Sequence, residues 1–264
     1  VDARTGAIEA LKTDPATVSL RRSLEVYYGD PARDAAMDAF YARFVRAGDL
    51  VFDVGAHVGD RVGSFRRLGA RVVAVEPQRP CATALHAIYG RDGAVTVVEA
   101  VCGDRAGRVP FNVNSANPTI STASADFIRA ADGARGWAHE RWDTRIEVAA
   151  VTLDGLIAEH GVPAFVKIDV EGFEDAVLAG LTRPLPALSF EFTTIGREVA
   201  RRCLRRLTAL GFHAFNLALG DTMALASPRW MSATRMAAHL ASLPHETNSG
   251  DVYCRSPASL RHPS

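Results

Sequence analysis

Short apolar runs alternate with segments of helical spacing along most of this chain. The runs LVFDV (50–54), RVVAVE (71–76), VTVVEAV (95–101), FVKIDV (165–170) and ALSFEF (187–192) are rich in valine, isoleucine and phenylalanine and end in turn-forming or polar residues. Runs of this length and composition predict strands buried on both faces. Between them, residues 58–68, 80–89, 153–159, 173–181 and 196–210 carry apolar positions at helical spacing. FHAFNL (212–217) and DVYCR (251–255), separated by a helical stretch at 232–243, add two further strands. Repeated strand–helix order predicts an α/β fold: a doubly wound, mostly parallel sheet with helices on both faces.

The pattern changes in three places. Residues 1–33 are mixed and read as a lead-in segment, after which apolar positions from Asp34 to Gly48 predict a helix. GDRAG (103–107) is a turn sequence, so VPFNV (109–113) is expected to pair in a hairpin with the run before it. Residues 114–145, which precede the strand IEVAAV (146–151), are too long for an ordinary connection and predict a lid or an acceptor-binding insertion. Residues 34–255 thus form one domain, and the tail 256–264 is expected to be disordered.

Composition removes several classes. With 48% apolar and 23% charged residues the chain is globular, and no apolar run reaches the roughly 18–20 residues a membrane span needs. VDARTGAIEALKTD lacks the layout of a secretory signal, so a cytoplasmic protein is expected. Thirty basic and thirty acidic residues cancel, leaving no global field for nucleic acid. Cys81, Cys102, Cys203 and Cys254 have no metal-ligand spacing and read as reduced, buried hydrophobes. Lysine occurs only at Lys12 and Lys167.

The candidate chemistry begins at VFDVGAHVGD (51–60), where a strand ending in Asp53 runs into Gly55, His57 and Gly59. A dinucleotide loop of the form GxGxxG would place glycine at positions 57 and 60, where this chain has His57 and Asp60. An imidazole there would collide with a pyrophosphate, and Asp60 would repel it. S-adenosylmethionine has no phosphate and tolerates a bulkier loop. Glu76, followed by Gln78, ends the next strand at the interval where a carboxylate meets ribose hydroxyls. A third acidic edge lies in KIDVEGFE (167–174), with Asp169 and Glu171 at a strand end and Glu174 in the first turn of a helix, where it can simply complement the helix dipole.

Together VFDVGAHVGD, VVAVEPQ, VTLDGL (151–156) and above all FVKIDVEGFE resemble the FkbM family of S-adenosylmethionine-dependent methyltransferases. The resemblance spans about residues 34–255. It implies the Rossmann-like class I methyltransferase fold, with seven strands and the last antiparallel, and methyl transfer, usually to a hydroxyl of a sugar or secondary metabolite. It also implies that Gly55 and its neighbours face the methionine part, Glu76 the ribose, and Asp169 the reacting centre. An acid after the third strand often meets adenine in such folds, and Asp104 is the candidate here, although GDRAG can equally use it to stabilise a turn.

Methyl transfer needs alignment of acceptor, methyl and sulfur, and an alcohol also needs a base. Asp169, Glu171 and His57 are the candidates, with His139 a weaker one. In the insertion, Asn114, Asn117, Ser121 and Thr122 offer hydrogen bonds to a polyol, and Phe127, Trp137 and Trp142 offer apolar faces to sugar rings. The expected partner is a small acceptor: a sugar, a glycoside or a polyketide-type alcohol. Residues 1–33 can close over the cofactor or join a homodimer. No resident metal is expected. Alternatives are a metal-assisted methyltransferase with Asp169, Glu171 and Glu191 on Mg²⁺, a nucleotide-dependent oxidoreductase, and a non-catalytic nucleoside-binding module on the same fold.

Overall fold

The computed structural model describes residues 3–257. Seven strands form the main sheet: β1 (Leu50–Val54), β2 (Arg71–Val75), β3 (Val95–Val98), β7 (Phe165–Ile168), β8 (Ala187–Thr193), β9 (Ala214–Leu219) and β10 (Ser249–Arg255). Their order is β3-β2-β1-β7-β8-β10-β9; β10 runs antiparallel to both neighbours and the other pairs are parallel. The doubly wound sheet and its antiparallel last strand are therefore as expected. β1 and β7, at the centre, are buried along their whole length. The order reverses between them, so their carboxyl ends open a crevice at the switch point.

Helices α1 (Ala3–Leu11), α2 (Arg21–Tyr27), α3 (Pro31–Tyr41), α4 (Asp60–Arg67) and α5 (Arg79–Tyr89) precede the second half of the sheet, which is accompanied by α7 (Leu153–His160), α8 (Glu174–Ala179), α9 (Arg197–Ala209) and α10 (Ala233–Ser242). One core beneath the sheet joins Phe52, Ile168, Phe190 and Leu207, and a second joins Phe40, Tyr41, Phe65, Phe165 and Tyr253. α3 starts earlier than its apolar spacing suggests, because Asp30 accepts from Ala32 N and Arg33 N and Pro31 supplies the first turn. The lead-in segment is helical as well: Ile8, Leu11, Leu20 and Leu24 pack on Val58 and on Cys81 and Ala84 of α5.

Two expectations are corrected. VTVVEAV is not one strand: β3 ends at Val98, and Val101–Cys102 forms β4 in a separate three-stranded sheet. β3 is moreover an edge strand, only partly buried. The expected hairpin also fails. β5 (Gly107–Val113) pairs antiparallel with β6 (Thr144–Val151), which lies between β5 and the two-residue β4. β4 is too short to hold a seven-residue partner, whereas β6 matches β5 along its length. The insertion between β5 and β6 contains α6 (Ala125–Ala131), capped by Ser124. It docks through Thr122, which hydrogen bonds to the Glu171 carbonyl, and through Phe127, which lies against Gly172. The disorder expected of the tail falls almost wholly on residues 258–264, outside those described.

Glycine is compulsory at position 55. Its φ is +85°, and a Cβ there would lie 1.8 Å from the Asp169 carbonyl oxygen. Gly133, with φ +74° in an open turn, meets nothing within 4 Å. A left-handed conformation alone costs an L-residue about 1–2 kcal/mol. Gly133→Ala should stay within about that range in urea unfolding, whereas Gly55→Ala should lose several times as much or fail to fold; equal losses would show that the close approach is not limiting.

Candidate functional site

A cavity of about 320 Å³ opens where the strand ends meet, lined by residues of the β1–α4 loop, the ends of β2 and β7, the insertion, and the segments flanking β9 and β10. On one side lies the glycine loop. Gly55 N and Ala56 N both donate to the Val75 carbonyl, Gly59 N donates to Ala56 O, and His57 N donates to Glu76 Oε2 at 2.9 Å. Glu76 also accepts from Gln78 N at 2.8 Å, through its other oxygen. Burial pushes the Glu76 carboxyl up to about 7, against the pull of these amides. His57 occupies φ +49°, and its ring lies edge-on to Tyr27 at 6.3 Å. Burial lowers the imidazole to about 4, so it is neutral at physiological pH, and its Nε2 is buried without a partner.

Opposite lies the acidic edge. Lys167, only 1% exposed, reaches Asp169 Oδ2 and Asp251 Oδ1, each at 2.9 Å. One ammonium cannot fully satisfy both carboxylates. Burial raises both; Lys167 and Arg61 outweigh it at Asp169, which is held below its usual value, whereas Asp251 stays above. Glu171 and Glu191 are pushed well above the carboxylate range by burial and by the charge on Asp169. Asp53, its Oδ2 unpartnered, is raised to about 7 by burial. Glu174 accepts from Val170 N and Gly172 N, fixing the turn that presents Asp169 and Glu171. Its role is to brace the loop.

The cavity gathers Asp53, Gly55, His57, Glu76, Gln78, Asp169, Glu171, Ser121 and Trp137. Other expected site residues stand elsewhere. Gly59 faces Leu85 and Tyr89, where it leaves room for helix packing. Asp104 is exposed near α8, beside Asp175 in a separate shallow depression. Asn117 donates to Glu140, His139 is 77% exposed beside Glu140, and Trp142 donates to the Ile120 carbonyl. Sequence pattern missed Arg61, which follows the glycine loop directly, and Tyr27 and Asp221, which line the cavity from distant segments. Arg61 pairs with Asp60 and, at 2.6 Å, with Asp221. An arginine directly after the acid that closes the glycine loop is the one signal that could have found it.

The Methyltransferase FkbM domain model matches residues 53–213, from Asp53 on β1 to the turn before β9. The chain belongs to this family. The FkbM methyltransferase uses S-adenosylmethionine as its cofactor. The site fits that molecule: Glu76 keeps acceptor capacity for hydroxyls, Asp53 Oδ2 and His57 Nε2 are buried polar atoms left without a partner, and no loop amide from Gly55 to His57 is free to hold a diphosphate. No curated protein matches the sequence significantly. Solved structures of similar fold include fibrillarin from Aeropyrum pernix with natively bound S-adenosyl-L-methionine (11% identity, TM-score 0.44, 83% of this chain and 73% of that one). A TehB-like SAM-dependent methyltransferase from Corynebacterium glutamicum (10%, TM-score 0.45, 89% and 93%) and a precorrin-6Y C5,15-methyltransferase from Geobacter metallireducens (11%, TM-score 0.40, 84% and 87%) are others.

The shared lysine yields a stability prediction. Lys167→Met in the FkbM methyltransferase would leave Asp169 and Asp251 without their cation. Breaking a buried pair costs about 3–5 kcal/mol, but the Asp169 side chain is 36% exposed, and water recovers part of this. The expected loss in urea unfolding is about 2–4 kcal/mol at neutral pH. Both orphaned carboxyls would then titrate above their unfolded values, so the loss should shrink as pH falls toward 5 and they protonate. A loss independent of pH would mean that packing, not charge, is what the lysine supplies.

Proposed function

We propose that the protein transfers a methyl group from S-adenosylmethionine to a hydroxyl oxygen of a small polyhydroxylated acceptor, of the sugar or secondary-metabolite kind. The observation that carries this reading is the joining, in one cavity, of a nucleoside-compatible edge at Glu76 and an acidic edge at Asp169 and Glu171. When bound, the cofactor supplies a methyl carbon activated by the sulfonium charge. The protein's part is to align and to exclude water.

Glu76 is assigned to the ribose hydroxyls. Gly55, Ala56 and Asp53 form the surface for the methionine portion, where a carboxylate suits its ammonium. An alcohol must lose its proton as the oxygen attacks, and the Asp169–Glu171 edge is the acidic surface that can take it. His57, neutral and buried, positions Glu76 through its backbone N–H. Phe111 and Trp137 beside Thr119 and Ser121 provide the mixture of apolar faces and hydroxyls that suits a sugar ring. No helix among the described residues is long and apolar enough to cross a membrane, which agrees with an acceptor taken from solution.

The ribose assignment has a pH signature. Hydroxyls donate best to an ionised carboxylate, and Glu76 titrates at about 7 in the free protein. Binding of S-adenosylhomocysteine must then displace a proton below that pH. Affinity measured by calorimetry should fall as pH is lowered from 8 to 6, by up to about tenfold per unit below 7. Glu76→Gln should bind more weakly at pH 8 and show a shallower slope, the remainder coming from Asp53, whose carboxyl is also raised to about 7. A wild-type affinity that is flat over this range would separate Glu76 from the ribose. Methyl transfer to amines but not to alcohols in an acceptor panel would overturn the O-methylation reading while sparing the cofactor.

A further inference from the structure

Oxygen atoms of Asp169, Glu171 and Glu191 all lie within 4.8 Å of one another at the cavity wall. Glu191 comes from β8, next to β7 in the sheet, so two adjacent strand ends and the turn after one of them converge on one point. A cluster of acids alone would be unremarkable, because acids can stay protonated. A separate observation concerns their partners. Glu171 is only 8% exposed, and among the described residues no side chain or amide hydrogen bonds to its carboxylate; Glu191 Oε2 is buried with no partner. A buried carboxylate oxygen without a donor, as at Glu191, is costly.

Charge around the cluster leads the same way. Among the described residues eight carboxylates line the cavity, and the positive side chains there are Arg61 and Lys167. Both are committed, Arg61 to Asp60 and Asp221 and Lys167 to Asp169 and Asp251. S-adenosylmethionine, with a sulfonium, an ammonium and a carboxylate, brings a single net positive charge. The acidic edge therefore keeps a deficit of positive charge even with the cofactor bound.

We propose that Asp169, Glu171 and Glu191 form a binding site for a divalent, oxygen-preferring cation. Hard cations take carboxylate oxygens and keep the remaining positions for water or substrate oxygens. From metal–oxygen distances of about 2.1 Å for Mg²⁺ and about 2.4 Å for Ca²⁺, opposite ligands stand about 4.2 and 4.8 Å apart. Neighbouring ligands at right angles stand about 3.0–3.4 Å apart, so three oxygens spread over as much as 4.8 Å would draw together around either ion. Lys167 holds Asp169 in place from the far side. The binding claim stands independently of the O-methylation reading; its catalytic consequence rests on it. There the cation would hold the acceptor hydroxyl and ease its loss of a proton, in place of a bare carboxylate base.

Mn²⁺ serves as the probe, titrated alone into the whole protein at pH 8 and followed by the electron paramagnetic resonance of the free ion, with S-adenosylhomocysteine titrated separately into the same samples. One Mn²⁺ per chain is expected, weakened at least tenfold in Glu191→Gln and in Glu171→Gln and unchanged in Asp104→Asn, which lies outside the cavity. Retained S-adenosylhomocysteine binding in the glutamine variants shows that they are folded. Cofactor binding without Mn²⁺ binding overturns the cation site and leaves the methyltransferase reading intact. Mn²⁺ binding that is unaffected in both glutamine variants overturns the site as well. Mn²⁺ binding of the expected pattern without cofactor binding supports the site and counts against the cofactor assignment.

Discussion

A methyl group on residue 55 would lie 1.8 Å from the backbone oxygen of Asp169, and this contact fixes the geometry of the whole site. β1 and β7 are neighbours in the sheet and diverge at its switch point. Just beyond their ends, the loop that follows β1 crosses against the backbone that follows β7. The two halves of the fold thus meet backbone to backbone. The β1–α4 loop carries the side of the cavity with His57, whose amide donates to Glu76, and the β7–α8 turn carries Asp169 and Glu171, so neither can shift without the other. A glycine at this place serves the contact between strand ends, and the same residue leaves space for a ligand only as a consequence.

Around that crossing the sequence places far more carboxylates than a dry interior can hold ionised. Three devices manage them. Lys167 is shared between Asp169 and Asp251, Arg61 between Asp60 and Asp221, and backbone amides serve Glu76 and Glu174. Each device fastens separate segments: β7 to β10, α4 to the turn after β9, β2 to the glycine loop. Among the described residues Asp53, Glu171 and Glu191 are left with no lysine, arginine or backbone amide donating to their side chains, and burial drives their carboxyls upward as it does those of Glu76, Glu174 and Asp251. Acids that tie segments together are therefore distinguished from the rest by who donates to them, a distinction that residue type alone does not reveal.

The central strands were legible because β1, β2, β7 and β8 are nearly continuous apolar runs whose burial on both faces leaves no alternation to misread. Their acidic ends were legible for the same reason, since Asp53, Glu76 and Asp169 interrupt or terminate those runs. What failed was tertiary. VTVVEAV is locally one strand, and only the position of β6 divides it between two sheets. The lead-in helices carry few apolar positions, each satisfied by α5 and Val58, so their pattern has no period of its own to read. Asp104 and Gly59 sit in sequence contexts like those of ligand-binding residues but face away, toward α8 and α5. Tyr27 and Asp221 reach the cavity by long-range folding that no local spacing encodes.

The same long-range packing accounts for the histidine in the glycine loop. His57 holds a left-handed conformation that a β-carbon disfavours, and three contacts maintain it: its own N–H on Glu76, the Tyr27 ring against its imidazole, and Tyr28, whose hydroxyl donates to the Val58 carbonyl. Two of the three come from α2 and the residue that ends it. A glycine at 57 would relieve the backbone but surrender the ring contact that joins the lead-in segment to the site. The amides of Gly55, Ala56 and His57, moreover, are spent on Val75 and Glu76, and Asp60, paired with Arg33 and Arg61, opens α4. A diphosphate finds no free N–H at those three positions. The loop, held in this way, sets Glu76 and the cavity wall in place.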